Sequence, residues 1–249
     1  MCWPPPRYDS PHSGTAADRA SELRSRPRGR WLISFEGGHR QQHQRDAHIL
    51  TSSNGERCCV LNEVLMTIGS KSILYGAHQF ILHPIMVAIA WTRLFGFPLD
   101  ARLWFAFFLH DIGYFGCTDL DGLSGARHPE CGARVMRALF GNKWGDFTLL
   151  HSRDYAKASG QPVSQLCLAD KLATAITPAW LYLPMVCLTG EIGEYMRNTS
   201  VRNGDQFHSV IGARTGDVAV WFEELRTFNH RWIERSRSAA VVPAPIRAA

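Results

Sequence analysis

The chain has 249 residues, of which 45% are hydrophobic and 20% are charged, and its formal net charge is +5. This length and composition allow a core of ordinary size, in one large domain or two small ones, and no apolar run reaches the roughly 20 residues needed to span a bilayer. The mild positive charge contains no block of consecutive basic residues, so it suits an anionic substrate but predicts no specific nucleic-acid binding.

Both ends of the chain lack a regular apolar pattern. Residues 1–65 are rich in Arg, Ser, Gly, Pro and His and contain only a short apolar run at 31–35. They cannot bury enough apolar surface to offset the loss of chain entropy, so we predict a disordered extension. A helical pattern that begins after Met66 raises the hypothesis of an internal start codon. Residues 236–249, mostly small residues and prolines, are predicted to form a flexible tail.

Cysteine usage and the N-terminus both indicate a cytoplasmic protein. The seven cysteines form no C-x-x-C pair, which is typical of proteins from a reducing compartment. Met1 is followed by Cys-Trp-Pro-Pro-Pro and not by the basic and then apolar order of a secretory signal. We therefore expect no membrane association and a location in the cytoplasm.

The middle of the chain has a helical pattern almost throughout. The segment 99–112 is apolar nearly all round and predicts a central, buried helix, and a glycine-rich loop at 113–125 follows it. No segment alternates with a period of two for long enough to predict a strand. The fold class is therefore all-α, with one helical domain at 66–235. Its other helices are predicted at 84–95, 129–140, 145–152, 163–176, 179–197 and 217–235.

A His-Asp doublet interrupts this apolar framework at the most hydrophobic helix. His110 and Asp111 close the segment 99–112. A buried carboxylate without a partner costs several kcal/mol, so Asp111 needs a neighbour that compensates its charge. A divalent metal ion meets that need, because imidazole nitrogen and carboxylate oxygen both bind first-row metals. For the doublet alone, an ion pair with a neighbouring base is the more common explanation.

Four further residues of the same type lie at helix ends or inside apolar helices. His83 precedes one helix, His128 begins another, His151 ends a third, and Asp170 lies inside an apolar helix. Each has an ordinary alternative: the first two as helix caps, His151 as a surface residue, and Asp170 as the partner of Lys171. Together with the doublet they predict a site for one or two divalent transition-metal ions, with Mn, Fe, Co and Zn as candidates.

The order His83, His110-Asp111 and Asp170 resembles the defining pattern of the HD-domain superfamily of metal-dependent phosphohydrolases. The segments HPIMVAIA, FFLHDIGY and LCLADKLA are similar to the helices that carry these ligands in the family. The resemblance covers residues 75 to 180. His78 also precedes the first of these helices, but the run after His83 matches the family better, so His83 is taken as the ligand.

The same resemblance extends to a two-metal variant of the family. His128 in HPECGARVM and His151 in LLHSRDYA fall where two-metal members carry two further histidines. The resemblance implies that Asp111 bridges both ions, that one ion also binds His83, His110 and Asp170, and that the other binds His128 and His151. A site for a single ion would leave His128 and His151 free as acids or phosphate ligands.

The resemblance further implies hydrolysis of a nucleotide or another small phosphate ester. Asp111, Arg153 and Lys171 are the candidate catalytic residues, since the two basic side chains can neutralise a phosphate. Lys171 can equally form a structural ion pair. The glycine-rich loop is a candidate lid or pocket wall. It lacks the G-x-x-x-x-G-K-[ST] order of a P-loop, so it gives no argument for a nucleotide triphosphatase of that kind. No cofactor other than the metal is predicted.

Two other classes of function are compatible with these residues. Some HD-fold proteins use the same six ligands to hold two irons and act as oxygenases, and others have become regulatory proteins after losing ligands. No ligand is missing here, and the superfamily is mainly hydrolytic, so hydrolysis is favoured. On the segment 179–197, Trp180, Tyr182 and Tyr195 are interpreted as core residues, and Glu191 and Glu194 as solvated.

Overall fold

The computed structural model describes residues 64–199 and 211–241, and these form an all-α fold, as the sequence predicts. Within those ranges there is no β-strand, and the only pairing of that kind is an isolated bridge between Ser164 and Val241. The helices are α1 (Ile68–Tyr75), α2 (Leu82–Phe95), α3 (Ala101–Leu109), α4 (Pro129–Phe140), α5 (Asn142–Leu149), α6 (Arg153–Ser159), α7 (Gln165–Ile176), α8 (Ala179–Thr189), α9 (Glu191–Thr199), α10 (Gly212–Thr215) and α11 (Val218–Ser236).

Local sequence signals explain where most of these helices begin and end. The Asp100 side chain accepts a hydrogen bond from the Arg102 backbone N–H and caps α3. Pro129 occupies the first position of α4, and Gly141, with a φ of 86°, ends it. The boundaries of α4 are those predicted from the sequence, because both signals are local.

Three parts of the central region differ from the predicted helices. Helix α5 spans Asn142–Leu149 and not 145–152, so His151 lies in the turn after the helix and not at its end. The segment 179–197 is divided into α8 and α9 at Gly190, whose φ of 83° lies in the left-handed region and breaks the helix. Helix α3 ends at Leu109, so His110 and Asp111 lie in the turn that follows it, before a short 3-10 turn at Ile112–Tyr114. The site doublet is therefore in a turn and not inside the helix.

Three short helices were not predicted. They are α1, α6 and α10, and none exceeds 8 residues. Segments of this length contain too few turns for an apolar period to stand out. Helix α6 begins where the Ser152 side chain accepts a hydrogen bond from the Tyr155 backbone N–H. Of the predicted extension at 1–65, residues 1–63 lie outside the described residues, and so do residues 242–249 of the predicted tail at 236–249. The first part of that tail contains the end of α11 and a 3-10 turn at Arg237–Ala239.

The main core packs α2 against α7, with α3, α4, α5 and α11 around them. Phe107 of α3, Met136 of α4 and Phe147 of α5 are fully buried in it. A second cluster joins α8 to α11 through Tyr182, which stacks on Phe222 with ring centroids 4.6 Å apart. The helix ends beside these two clusters carry the polar residues described below.

No single described helix is long and apolar enough to cross a bilayer. The pair α7 and α8 meets the requirement of length and apolarity only jointly, and it is bent by 100°.

Gly132 allows α4 to approach the turn that carries the His-Asp doublet. A Cβ atom at this position would lie 2.1 Å from the Leu109 carbonyl oxygen and 3.2 Å from the His110 Cα. Gly132→Ala is therefore expected to lower the free energy of unfolding by about 1–3 kcal/mol, because rigid backbone must move. Urea unfolding would measure this change.

Gly193→Ala in α9 is the matched control for that substitution. A Cβ there would meet only the end of the flexible Arg197 side chain, at 3.3 Å. Alanine also favours the helix over glycine by about 1 kcal/mol, so this variant is expected to be as stable as the wild type or more so. Equal losses in both variants would contradict the proposed backbone clash at Gly132.

Candidate metal centre

The structure brings all six predicted ligands into one buried cluster. They come from five separate helix ends or faces. His83 lies in the first turn of α2, and Asp170 lies on the buried face of α7. The remaining four lie at turns: His110 and Asp111 after α3, His128 before α4, and His151 after α5.

One group of ligand atoms surrounds Asp111 Oδ2. The Nε2 atoms of His83 and His110 lie 3.3 Å and 3.0 Å from it. Asp170 joins the group through Oδ1, which lies 3.2 Å from His83 Nε2. All four residues are buried, and their ligand atoms lie within 4.8 Å of one another. This spacing fits ligand atoms that bind one metal ion.

The second group surrounds the other oxygen of the same carboxylate. Asp111 Oδ1 lies 3.5 Å from His128 Nε2 and 3.3 Å from His151 Nε2. These two imidazole nitrogens are 3.1 Å apart. Asp111 is therefore the one residue common to both groups, and each group uses a different carboxylate oxygen.

Local turns determine which nitrogen each of three histidines presents. The Nδ1 atoms of His110, His128 and His151 lie 2.9, 2.6 and 2.6 Å from the carbonyl oxygens three residues earlier, at Phe107, Gly125 and Thr148. A carbonyl only accepts, so each Nδ1 donates its proton there and each Nε2 keeps a lone pair. Backbone contacts of this kind orient histidine ligands in metal sites.

The resulting arrangement leaves acceptor atoms facing acceptor atoms. Asp111 Oδ2 is buried and has no hydrogen-bond partner among the described residues. The lone pairs of His128 and His151 also face each other at 3.1 Å. Unpaired buried acceptors of this kind are costly, and a divalent cation would satisfy them together. These imidazole and carboxylate groups are therefore suitable ligands for a metal ion.

Without a cation, a proton on His83 compensates part of the negative charge. Burial lowers the pKa of His83, but the negative charges of Asp111 and Asp170, whose nearest oxygens lie 3.3 Å and 3.2 Å from Nε2, outweigh burial and raise the pKa from 6.5 to about 9. Burial raises the pKa of Asp170, but the Lys171 ammonium and His83 hold it well below its usual range. A metal ion that binds here must displace the His83 proton.

Comparison with known protein families, with curated proteins and with solved structures finds no match for this chain. The described residues support a buried His/Asp cluster compatible with an HD-type metal site. Function is therefore inferred from the geometry of the cluster and of the space beside it.

A cavity of about 160 Å³ adjoins the first group of ligands. His83 is part of its wall, and so are both of the predicted basic residues, Arg153 and Lys171. Lys171 Nζ lies 2.8 Å from Asp170 Oδ2, so Lys171 forms the ion pair that was its ordinary explanation and still contacts the cavity. The Arg153 guanidinium lies over the Trp232 ring, 5.4 Å from its centroid, which fixes its position.

The loop 113–125 contributes to the same cavity. Tyr114 and Asp121 line it. The Tyr114 ring stacks on His128, with centroids 4.0 Å apart and planes 11° apart. The Tyr114 ring therefore lies between the second ligand group and the cavity. Nothing in the residue pattern distinguished Tyr114 from the other aromatic residues.

The interpretation of Glu191 as a solvated residue was wrong. Its side chain is fully buried and accepts hydrogen bonds from Thr189 Oγ1 at 2.6 Å and from Tyr195 OH at 3.0 Å. Glu194 is half-buried and accepts from the backbone N–H groups of Leu120 and Asp121. Glu191 also accepts from the Ala77 backbone N–H, so each carboxylate binds a segment that is distant in sequence. The pattern of α9 alone therefore gave no signal of their burial.

The three aromatic residues of α8 and α9 have different environments. Tyr182 is buried in the second core cluster and also lines the cavity. Tyr195 packs against that cluster and lines the cavity as well. Trp180 is 76% exposed, so its interpretation as a core residue was wrong. Helix α8 is apolar on all sides, so its sequence could not show which side faces the core.

Proposed function

We propose that this protein is a metal-dependent phosphohydrolase that acts on a small phosphate ester. The observation that carries the proposal is the juxtaposition of a buried six-ligand cluster with a cavity lined by two cationic side chains. Imidazole and carboxylate ligands suit the ions that activate water, and cations suit a phosphate. These two features together are what phosphate ester hydrolysis near neutral pH requires.

The residues that would hold the ions follow from the two groups around Asp111. One ion would bind Asp111 Oδ2 with His83, His110 and Asp170, and a second would bind Asp111 Oδ1 with His128 and His151. Candidates are Mn, Fe, Co and Zn. When bound, such ions lower the pKa of water and neutralise charge on a phosphate.

The chain's own residues would bind and orient the substrate. Arg153 and Lys171 supply positive charge at the cavity wall, next to His83. Asp170 holds the Lys171 ammonium, and the Trp232 ring holds the Arg153 guanidinium, so neither cation has to be ordered when the substrate binds. Preordered charges of this kind favour an anionic ligand.

The size of the cavity favours a small ester over a nucleotide. Its volume is about 160 Å³, whereas pockets for drug-sized ligands have roughly 300–1,000 Å³. A diiron oxygenase would use the same ligands, and a regulatory protein could retain them without turnover. The cationic lining favours the hydrolase, because it matches the charge of a phosphate ester.

Elemental analysis of the full chain after anaerobic purification is the first test. Close to two transition-metal ions per chain are expected, together with phosphate release from small esters in the presence of Mn, Co or Zn. Bound iron with oxygen consumption and no phosphate release would instead assign an oxygenase. If no metal is bound even after reconstitution, the proposal fails and a non-catalytic helical protein is the better explanation.

Substitution of Arg153 tests the cavity as the substrate site. Arg153→Gln is expected to raise KM for a phosphate ester by about 10- to 100-fold, the loss of one charged hydrogen bond, and to change kcat less. Arg134→Ala is the matched control, because Arg134 is an exposed arginine on α4. Steady-state kinetics would contradict the assignment if both variants kept the wild-type KM.

A further inference from the structure

We propose that Ser72 and Glu191 hold His78 in a single tautomer, and that His78 Nε2 accepts a hydrogen bond from a donor group of the substrate in the cavity. His78 lies in the turn between α1 and α2 and lines the cavity together with His83. It does not belong to either ligand group. The second half of this proposal rests on the proposed hydrolytic function, whereas the first half does not.

Hydrogen-bond direction determines the tautomer. Ser72 Oγ is fully buried and lies 2.7 Å from His78 Nδ1. Ser72 also faces the Glu191 carboxylate as a hydrogen-bond donor. A hydroxyl has one proton. Burial raises the pKa of Glu191, but hydrogen bonds from Thr189 and Tyr195 favour its ionised form. An ionised carboxylate is a stronger acceptor than a neutral imidazole nitrogen. Ser72 therefore donates to Glu191 and accepts from His78 Nδ1–H, which leaves Nε2 without a proton.

Glu191 is held in place by contacts with the turn that carries His78. Its two carboxylate oxygens lie 3.3 Å and 3.2 Å from the Ala77 backbone nitrogen, which donates to them. The preceding residue is Gly76, where a Cβ atom would lie 1.7 Å from Glu191 Oε1. The turn therefore has the one residue that lets this carboxylate approach, and the carboxylate in turn fixes the backbone beside His78.

Ring contacts hold the His78 ring in one orientation. The His78 ring packs against Tyr114, with centroids 4.4 Å apart, and meets the His83 ring edge-on at 5.8 Å. Its hydrogen bond to Ser72 uses Nδ1, and no described residue hydrogen-bonds Nε2. A fixed acceptor at the cavity wall selects for a ligand with a hydrogen-bond donor at that point.

The charge distribution of the cavity indicates which part of the substrate meets His78. Phosphate oxygens are acceptors, so they are repelled by a lone pair on Nε2 and are attracted to Arg153 and Lys171. The group at His78 is therefore a hydroxyl or an amine on the rest of the molecule. The inferred substrate class is a small phosphate ester that carries a hydroxyl or amino group, such as a polyol phosphate.

The tautomer can be measured directly in the zinc-loaded full chain labelled with ¹⁵N-histidine. Long-range ¹H–¹⁵N correlation spectra, with the His78 signals assigned from His78→Gln, are expected to show Nδ1 protonated and Nε2 unprotonated. Ser72→Ala and Glu191→Gln should each abolish this preference. Ser70→Ala is the matched control, because Ser70 is a buried serine of the same helix that bonds Thr67 and Gly116 instead. A protonated Nε2 in the wild type would overturn the proposal.

A pair of substrates tests the specificity. Glycerol 1-phosphate and propyl phosphate have the same carbon chain, and only the first has hydroxyl groups. The wild type is expected to prefer the first by about tenfold in kcat/KM, the effect of one hydrogen bond. In His78→Phe this ratio should fall to about one, and in His78→Gln it should partly return. A ratio that stays at the wild-type value in His78→Phe would refute the specificity role.

These two experiments separate the two proposals. If the wild type hydrolyses neither ester nor any other phosphate ester, the proposed function fails, and the specificity role of His78 fails with it. The NMR measurement still decides whether Ser72 and Glu191 fix the tautomer of His78.

Discussion

Asp111→Ala is expected to abolish metal binding and any catalytic activity. Asp111 is the one residue in both ligand groups, and each of its carboxylate oxygens faces a different group. Its removal leaves one group with two histidines and the other with two histidines and Asp170. Loss of a shared ligand lowers the affinity for both ions at once, which no other single substitution in the cluster would do.

Elemental analysis and thermal unfolding with and without added Zn or Mn would measure this loss. The wild type is expected to gain stability from the metal, because only the folded state presents the site, and the variant should gain none. Asp154→Ala, which removes an exposed carboxylate near His151, is the control and should behave as the wild type. Full metal content and turnover in Asp111→Ala would refute the shared-ligand arrangement.

The second large effect concerns how folding stability depends on pH. Stability is expected to fall with rising pH in the metal-free protein and to rise with pH in the metal-loaded protein. In the metal-free protein the pKa of His83 is raised from 6.5 to about 9. The proton therefore binds the folded state more tightly than the unfolded state. The stability it contributes is fully present below pH 6.5 and is lost as the pH rises towards 9. A shift of this size corresponds to roughly 3 kcal/mol.

Urea unfolding of the chelated protein between pH 6 and pH 9 would test this expectation. His83→Asn should remove the decline in stability, whereas His230→Asn, at an exposed position of α11, should retain it. The metal-loaded wild type should show the opposite slope, because binding displaces the His83 proton and so strengthens as the pH rises. Identical slopes in the wild type and His83→Asn would show that His83 carries no proton in the cluster.

The sequence predicted those parts of the fold that are marked by residues at the helix end itself. Pro129 and Gly141 mark the two ends of α4, and both ends were predicted correctly. The break at Gly190 was missed, because a single glycine inside an apolar pattern is compatible with either a continuous or a broken helix. Short helices such as α6 were missed because periodicity needs several turns to be visible.

The candidate metal ligands could be predicted from the sequence for a different reason. A histidine or an aspartate at the end of an apolar helix conflicts with its surroundings, and Asp111 and Asp170 were selected on that ground. The sequence could not show that His128 and His151 face one oxygen of Asp111 while His83 and His110 face the other. That division depends on how the helix ends are packed around the carboxylate.

The sequence by itself determined the all-α class, the ends of helices such as α4, and the residue types available to bind a metal. These features follow from contacts between near neighbours in the chain. Only the tertiary structure decided that Glu191 is buried, that it reaches the backbone of Ala77 from 114 positions away, and that His78 lines the cavity. The physical reason is that burial and hydrogen-bond partners are properties of packed helices, and segments distant in sequence supply the groups that meet there.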